Sequence, residues 1–537
     1  MNHQKHMPGT PHWSQSAAPA KAGMLLALAA VVALTTSCSR GDPVSEKAAA
    51  KNHQLVIAID AEPDTLDPQS QTTSVVASIL KYSVETLTNT TATGELAPGL
   101  ATSWKLSDDG LKLTLDLRKN VTFQDGSAFT SKAVKATLDR VLDPKVTVPY
   151  RSAFSAISEV LTPDAHTVEL VLSRPSPALP KALSLETVGI LAPESATQNG
   201  NSYTKIVLPV GTGPYRLEQY DRGEKIAMSR NDNYWGAKPY YKDVSFKIVP
   251  ESSSRQNMLM SGEAQMILSP PLTSLDAIEK NSSTTVHTGL PARTLYAVFN
   301  TQRPPFDNPL VRRALNYAID REAIIKSVMH STAEAAKGPL APALAGNCTM
   351  DHPYVYDPEK ARALLSDAGV KNLEIEFGAP TGKYPQAPQV AQAIAGYLKD
   401  VGVNAKVTTL DWPTYVGRVT SAPKDNLGLH ILGWAASYMD PQQPMTQFQS
   451  DQAPPRGLAT SFYKNAKVDA LLASAAKEIN LQTRSALYCE AQKIVWDDAP
   501  FIFLWAQKYP IAFNSELTGI TVAPNEYFDT IYARPAN

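Results

Sequence analysis

Past residue 300 the chain switches repeatedly between helical and extended patterns, and that alternation leaves few folds open. Asn308-Pro309 supplies an N-cap and then a proline at the first helical position, where its missing N–H costs nothing. Val311, Ala314, Leu315, Ala318 and Ile319 follow at the spacing of one helix face. Asp357-Pro358 repeats the device, and Gly369 suits the close of that helix. Further helices are expected at about 387–400 and 466–478, with strands at 373–377 and 403–409 among them. Strands alternating with helices predict an α/β unit with a largely parallel sheet.

The first half is richer in strands and hairpins. Leu55–Ile59 (LVIAI) is a continuous apolar run, read as a buried strand. Leucines at 111, 113, 115 and 117 alternate with polar residues, as in a strand with one wet face. Asp109-Gly110 and Asp125-Gly126 mark turns, and Thr130 opens a helix with Val134, Thr137, Leu138 and Val141 on one face. His166–Leu172 reads as another strand, ahead of a proline-rich loop through Pro180. A chain of 537 residues exceeds what one core usually serves, so two or more lobes are expected. The net charge of -1 leaves no electrostatic footprint for nucleic acid. No interior stretch approaches the roughly 20 apolar residues of a membrane span.

The N-terminus reads as a targeting segment. Lys5 and Lys21 precede the short apolar run Ala22–Leu34, which fits a secretory signal better than a membrane helix. The run ends in Leu34-Thr35-Thr36-Ser37-Cys38, small residues ahead of a cysteine, as in a bacterial lipobox; Thr35 stands where leucine is commonest. Residues 1–37 are therefore expected to be a lipoprotein signal peptide and Cys38 the lipidated residue. A plain signal cut near Ala33 is the alternative, and Met7 offers a second start. Residues 38–52 are polar and alanine-rich, a flexible tether.

Catalytic chemistry is hard to find. HExxH, GxSxG and CxxC patterns are absent, and Gly378–Lys383 (GAPTGK) is one residue short of a P-loop, with Tyr384 in place of Ser or Thr. His330 and His352, the closest histidines beyond the signal, lack ligand spacing. No metal site, cofactor or catalytic residue is assigned. Cys348 and Cys489 form an even pair in what would be an oxidising compartment, which suggests a disulfide between the loop before Pro353 and a late helix; two buried thiols are the alternative.

Several segments occur together in one order. They are Glu62–Pro68 (EPDTLDP), Ala97–Trp104, Ser107–Gly110, Leu117–Val121 with Phe123–Gly126, Pro209–Tyr215 (PVGTGPY), Asn233–Trp235 and Val311–Arg321 (VRRALNYAIDR). In this combination the chain resembles the peptide/nickel-type, family 5, periplasmic solute-binding proteins of ABC importers, over about residues 53–515. Gly211 and Gly213 would suit a turn with positive φ. Trp104 and Trp235 would be core or interlobe anchors, and Arg312 and Arg313 surface or interlobe charges.

The resemblance implies a two-lobed α/β periplasmic-binding-protein fold of type II. Lobe I would span 53–298 with a subdomain inserted at about 70–208, lobe II 299–505, and 506–537 would return to lobe I. Closure would bury a ligand between the lobes and make a shape the permease can distinguish. The ligand floor would comprise Glu62 and Pro63, after the first strand, and Trp434, Ser437, Tyr438 and Asp440. Related peptide binders often place an aspartate at the position of Ser437, where it pairs with the peptide's ammonium group. A hydroxyl cannot make that charge-assisted bond, so Asp440 or Glu62 would have to replace it. The implied role is capture of a peptide or peptide-like solute and its delivery to ABC permease subunits by a lipid-anchored monomer. A nickel chelate, opine or oligosaccharide ligand would be the alternatives within the family, and a periplasmic hydrolase the alternative outside it.

Overall fold

The run LVIAI lies at the heart of a seven-stranded sheet in the computed structural model, which describes residues 53–198, 200–289 and 292–536. Cys38, the signal and the tether fall outside the described residues. The strand Gln54–Ile59 runs parallel to Asp243–Ile248 on one side and Met266–Leu268 on the other. Its Leu55, Ile57, Ala58 and Ile59 are all but completely buried, as a central strand covered on both faces requires. Antiparallel strands complete this sheet of lobe I: Lys225–Arg230 and Tyr215–Asp221 on one flank, Pro510–Asn514 and Thr284–Thr288 on the other.

The second sheet, of lobe II, has six strands in the order Ala333–Ala335, Phe501–Gln507, Arg293–Phe299, Leu429–Ala435, Leu373–Pro380 and Val403–Leu410. It is mixed, whereas the alternation predicts a largely parallel sheet. Only Leu373–Pro380 pairs in parallel, with Val403–Leu410 across the helix Ala387–Asp400 and with Leu429–Ala435. The difference arises because the strand that enters lobe II, Arg293–Phe299, and the one that leaves it, Phe501–Gln507, lie side by side in opposite directions. Arg293 and Gln507 are paired with each other at one end of these two strands.

Between the first strand and Tyr215, a four-stranded antiparallel sheet, Ala101–Leu106, Lys112–Leu117, Thr167–Leu172 and Ile157–Asp164, packs on the helix Ser131–Leu142. Leu113, Leu115 and Leu117 face that core. Leu111 does not; it sits in the preceding turn and is 39% exposed. The motif residue Asp67 ties this subdomain to lobe I: its carboxylate accepts from both terminal nitrogens of Arg140, at 2.9 and 2.6 Å, and from the amide of Ile206.

Two motif readings change. Gly211 and Gly213 do not have positive φ. Their missing side chains allow close backbone approach instead, since a Cβ at Gly213 would lie 2.6 Å from the Tyr82 carbonyl and one at Gly211 would strike that of Ser83. Arg312 is neither at the surface nor between lobes. It is buried in lobe II, where it donates to the carbonyls of Phe306, Asp498 and Ala499, backbone acceptors that no sequence pattern reveals. Asn308 and Asp357 cap their helices through side-chain oxygens, and Gly369 follows its helix at φ +70. Cys348 and Cys489 form a disulfide with Cα atoms 5.6 Å apart.

Candidate functional site

The strand Leu429–Ala435 ends facing lobe I, and the loop that follows is where the lobes meet. Tyr438 leaves lobe II altogether and packs among the buried residues of the inserted subdomain. Met439 receives the Lys181 ammonium on its carbonyl at 2.8 Å and touches Gly94. Ser437 is held on three sides. Its amide donates to the Gln443 side chain at 2.7 Å, its carbonyl accepts from Asn525 Nδ2 at 3.0 Å, and the Tyr150 hydroxyl of the subdomain stands against its side chain. Burial raises the Tyr150 pKa, with Ser437 and Arg293 pulling it back.

Asn525 belongs to a tight turn, Ala523–Tyr527, in the C-terminal segment. The turn closes through the Ala523 amide to the Tyr527 carbonyl and the Glu526 amide to the Ala523 carbonyl, and leaves Glu526 at φ +69, a conformation few non-glycine residues adopt. Glu526 then reaches across to lobe II. It accepts from Arg293 Nε at 2.6 Å and Nη2 at 2.7 Å, a bidentate pair with both partners largely out of water. Burial by itself would lower the Arg293 pKa, but Glu526 outweighs it and holds the guanidinium above its ordinary value. Tyr384 lies under Arg293, its centroid 6.0 Å away, and donates to the Gly433 carbonyl. On the neighbouring strand Trp434 is half-buried and in register with Thr294, which puts it on the sheet face opposite Arg293; its indole Nε1 is buried with no partner among the described residues.

The six expected contacts are thus not one surface. Ser437 lies at this junction and Tyr438 is buried next to it, whereas Trp434 is on the sheet face opposite Arg293. Asp440 cannot stand in for a missing acid, because the buried Arg484 side chain grips both its oxygens, at 2.8 and 2.6 Å. Glu62 is committed elsewhere too: it accepts from the Tyr220 hydroxyl at 2.9 Å and the Gly223 amide at 3.2 Å, all within lobe I. Pro63 is buried, and its carbonyl accepts from the same tyrosine.

Sequence reading misses Arg293, Glu526, Asn525 and Tyr150. A signal exists for Arg293, a lone cation heading the apolar strand RTLYAVF. None exists for Glu526, whose partner is 233 residues away. A further acid, Glu186, is fully buried beside Tyr527 with neither oxygen in hydrogen-bond geometry; burial pushes its pKa up to about 7 against the pull of Lys81. A cavity of about 520 Å³ lies beside the strand Ala333–Ala335 and Cys348, and none of the six expected contacts lines it. Among the described residues no three His, Cys, Asp or Glu side chains come together as a metal site, and no helix is long and apolar enough to cross a membrane.

Comparison with known proteins agrees with this architecture. Residues 95–455 match the model of "Bacterial extracellular solute-binding proteins, family 5 Middle". The glutathione-binding protein GsiB of Escherichia coli K12 is 31% identical over 508 residues, covering 94% of this chain and 97% of its own. Among solved structures, the periplasmic binding protein DppA of Helicobacter pylori with the peptide STSA is 27% identical, with a TM-score of 0.79 over 90% of this chain and 98% of its own. A dipeptide-binding protein of Pseudoalteromonas sp. SM9913 with Met-Leu is 26% identical, with a TM-score of 0.80 over 90% and 100%. The chain belongs to family 5 of the bacterial extracellular solute-binding proteins, the two-lobed periplasmic components of ABC transporters.

Proposed function

We propose that the ligand is a short peptide or peptide-like solute, held between the lobes at the junction of Trp434, Ser437, Arg293 and Glu526 and handed to an ABC permease. The observation that carries this reading is the cross-lobe contact itself. The loop after Leu429–Ala435 and the turn Ala523–Tyr527 bring a guanidinium, a carboxylate and backbone carbonyls to one place. Those are the groups that peptide ends and peptide bonds need. The names of similar proteins support the size of the ligand: glutathione, a dipeptide and the tetrapeptide STSA. Calorimetry of the purified protein with glutathione and a set of di- to tetrapeptides tests the proposal, and silence with every one of them would end it.

Trp434 offers a flat, amphipathic surface at low entropy cost. Trp434→Ala should therefore weaken binding by at least tenfold while the thermal midpoint moves by only a few degrees. Unchanged affinity would remove the indole from the site.

The lipid anchor belongs to the same reading. Diacylation at Cys38 with a further chain would hold the protein at a membrane, since one chain alone binds only marginally. Cys38→Ser should move the protein from the membrane to the soluble fraction of its host. Equal fractionation of both forms would refute the anchor. The protein would then act as a tethered monomer, which mass photometry of detergent-solubilised material can check.

A further inference from the structure

The inserted subdomain meets lobe II at two turns, and at each a glycine sits under an apolar side chain from the other side. Gly94 stands in the turn 91–95 at φ +82, and Gly110 in the turn 107–112 at φ +70. Turn tips generally face solvent, yet both glycines are buried. A Cβ at Gly94 would lie 3.0 Å from Met439 Cε, and one at Gly110 would lie 2.8 Å from Ile479 Cδ1. Met439 itself stands at φ +53, a region that side-chain-bearing residues seldom occupy, and its carbonyl accepts from the Lys181 ammonium of the subdomain at 2.8 Å. Tyr438, just before it, already lies in the subdomain core.

We infer that these contacts form a closure latch, which favours the arrangement of the lobes seen here by the same amount whatever solute lies between them. Gly94, Gly110, Lys181 and Ile479 are not among the expected ligand contacts, so they act on affinity only through the equilibrium between open and closed forms. The glycines serve twice. Positive φ makes each turn, and the missing side chain leaves a seat that Met439 or Ile479 fills. The latch is also weak by construction. Ile479 remains 41% exposed, and Lys181 contributes one hydrogen bond to a backbone carbonyl. A small contact of this kind suits lobes that must part again, whereas a large apolar one would hold them shut with or without solute. The inserted subdomain is therefore the jaw that meets lobe II.

The first test is kinetic. Binding begins in the open form and release requires opening, so a weaker latch should act on the dissociation rate and leave the association rate alone. Ile479→Asp and Lys181→Met should each weaken glutathione and di- to tetrapeptides by about threefold to tenfold, with one factor for every ligand. Ile479→Leu keeps the contact and should stay near wild type. Circular dichroism melts confirm that each variant is folded. Unchanged affinity in both variants would overturn the inference, and so would a factor that differs from ligand to ligand.

The second test needs no ligand. Pro175 borders the same seat, its Cβ 3.0 Å from where a Cβ of Gly110 would lie. Pro175→Cys with Ile479→Cys, treated with a short bifunctional maleimide, should therefore cross-link within one chain, and adding Lys181→Met should slow that reaction severalfold. Cys348 and Cys489 are bridged to each other and do not compete. Failure to cross-link, or a rate indifferent to Lys181, would refute the latch. If wild type binds no peptide at all, the ligand class proposed above fails, while the cross-link still decides the latch.

Discussion

Asp440→Ala should lower the unfolding free energy by about 3–5 kcal/mol, the usual cost of stranding one partner of a buried ion pair. Asp440 and Arg484 are 2% and 6% exposed and joined through two hydrogen bonds, so the change leaves a guanidinium in the core of lobe II with only a carbonyl and a tyrosine hydroxyl for company. The carboxylate also accepts from the Gln442 amide, so a turn is lost with the charge. Replacing both partners, as Asp440→Leu with Arg484→Met, should cost much less, because no charge is then left unpaired. Urea titrations of the three proteins give the comparison. A single variant as stable as wild type would mean that Asp440 is available for ligand after all. Ligand affinity should fall with the single variant as well, because Ser437 is three residues upstream and its amide rests on Gln443, just beyond the lost turn.

The second large effect concerns the disulfide. It closes a loop of 141 residues, for which the chain-entropy estimate is about 5 kcal/mol and observed losses run about 2–5 kcal/mol. Cys348→Ser with Cys489→Ser should lose stability in that range, and wild type in reductant should titrate like the double variant. Coincident curves for oxidised and double-serine protein would show that the bridge does not constrain the unfolded chain. Both predictions act on one helix, Leu481–Asp498, which carries Arg484 near its start and Cys489 in its third turn. The bridge fastens that helix to the loop before Pro353, and the helix in turn fixes Asp440 beneath the cleft.

What sequence reveals and what it hides divides by range. Asn308, Asp357 and Gly369 act on amides and turns within a few residues of themselves, and each is where local chemistry places it. The continuous run Leu55–Ile59 announces a covered strand because burial on two faces leaves no room for polar residues. The mixed order of the lobe II sheet is different. It depends on Phe501–Gln507 lying next to Arg293–Phe299, a neighbour some two hundred positions away that no periodicity encodes. The site follows the same rule. Trp434 and Ser437 are proposed from a local segment, whereas the partners of Asp440 and Glu62 are Arg484 and Tyr220, and Glu526 comes to Arg293 from the far end of the chain. Arg312 shows the limit within a motif: the residue is legible, but its carbonyl acceptors are backbone atoms without identity in sequence.

The position of Pro510–Asn514 sets an order of events during synthesis. That strand is interior to the first sheet, hydrogen-bonded to Met266–Leu268 on one side and Thr284–Thr288 on the other. An emerging chain can complete the second sheet once Gln507 is through, but the first stays open, with the edge of Met266–Leu268 unpaired, until Asn514 arrives. The N-terminal half therefore waits for the C-terminus, and the lobe made first is the lobe finished last. Until then the edge of Met266–Leu268 presents unpaired N–H and C=O groups, a place where another chain could pair.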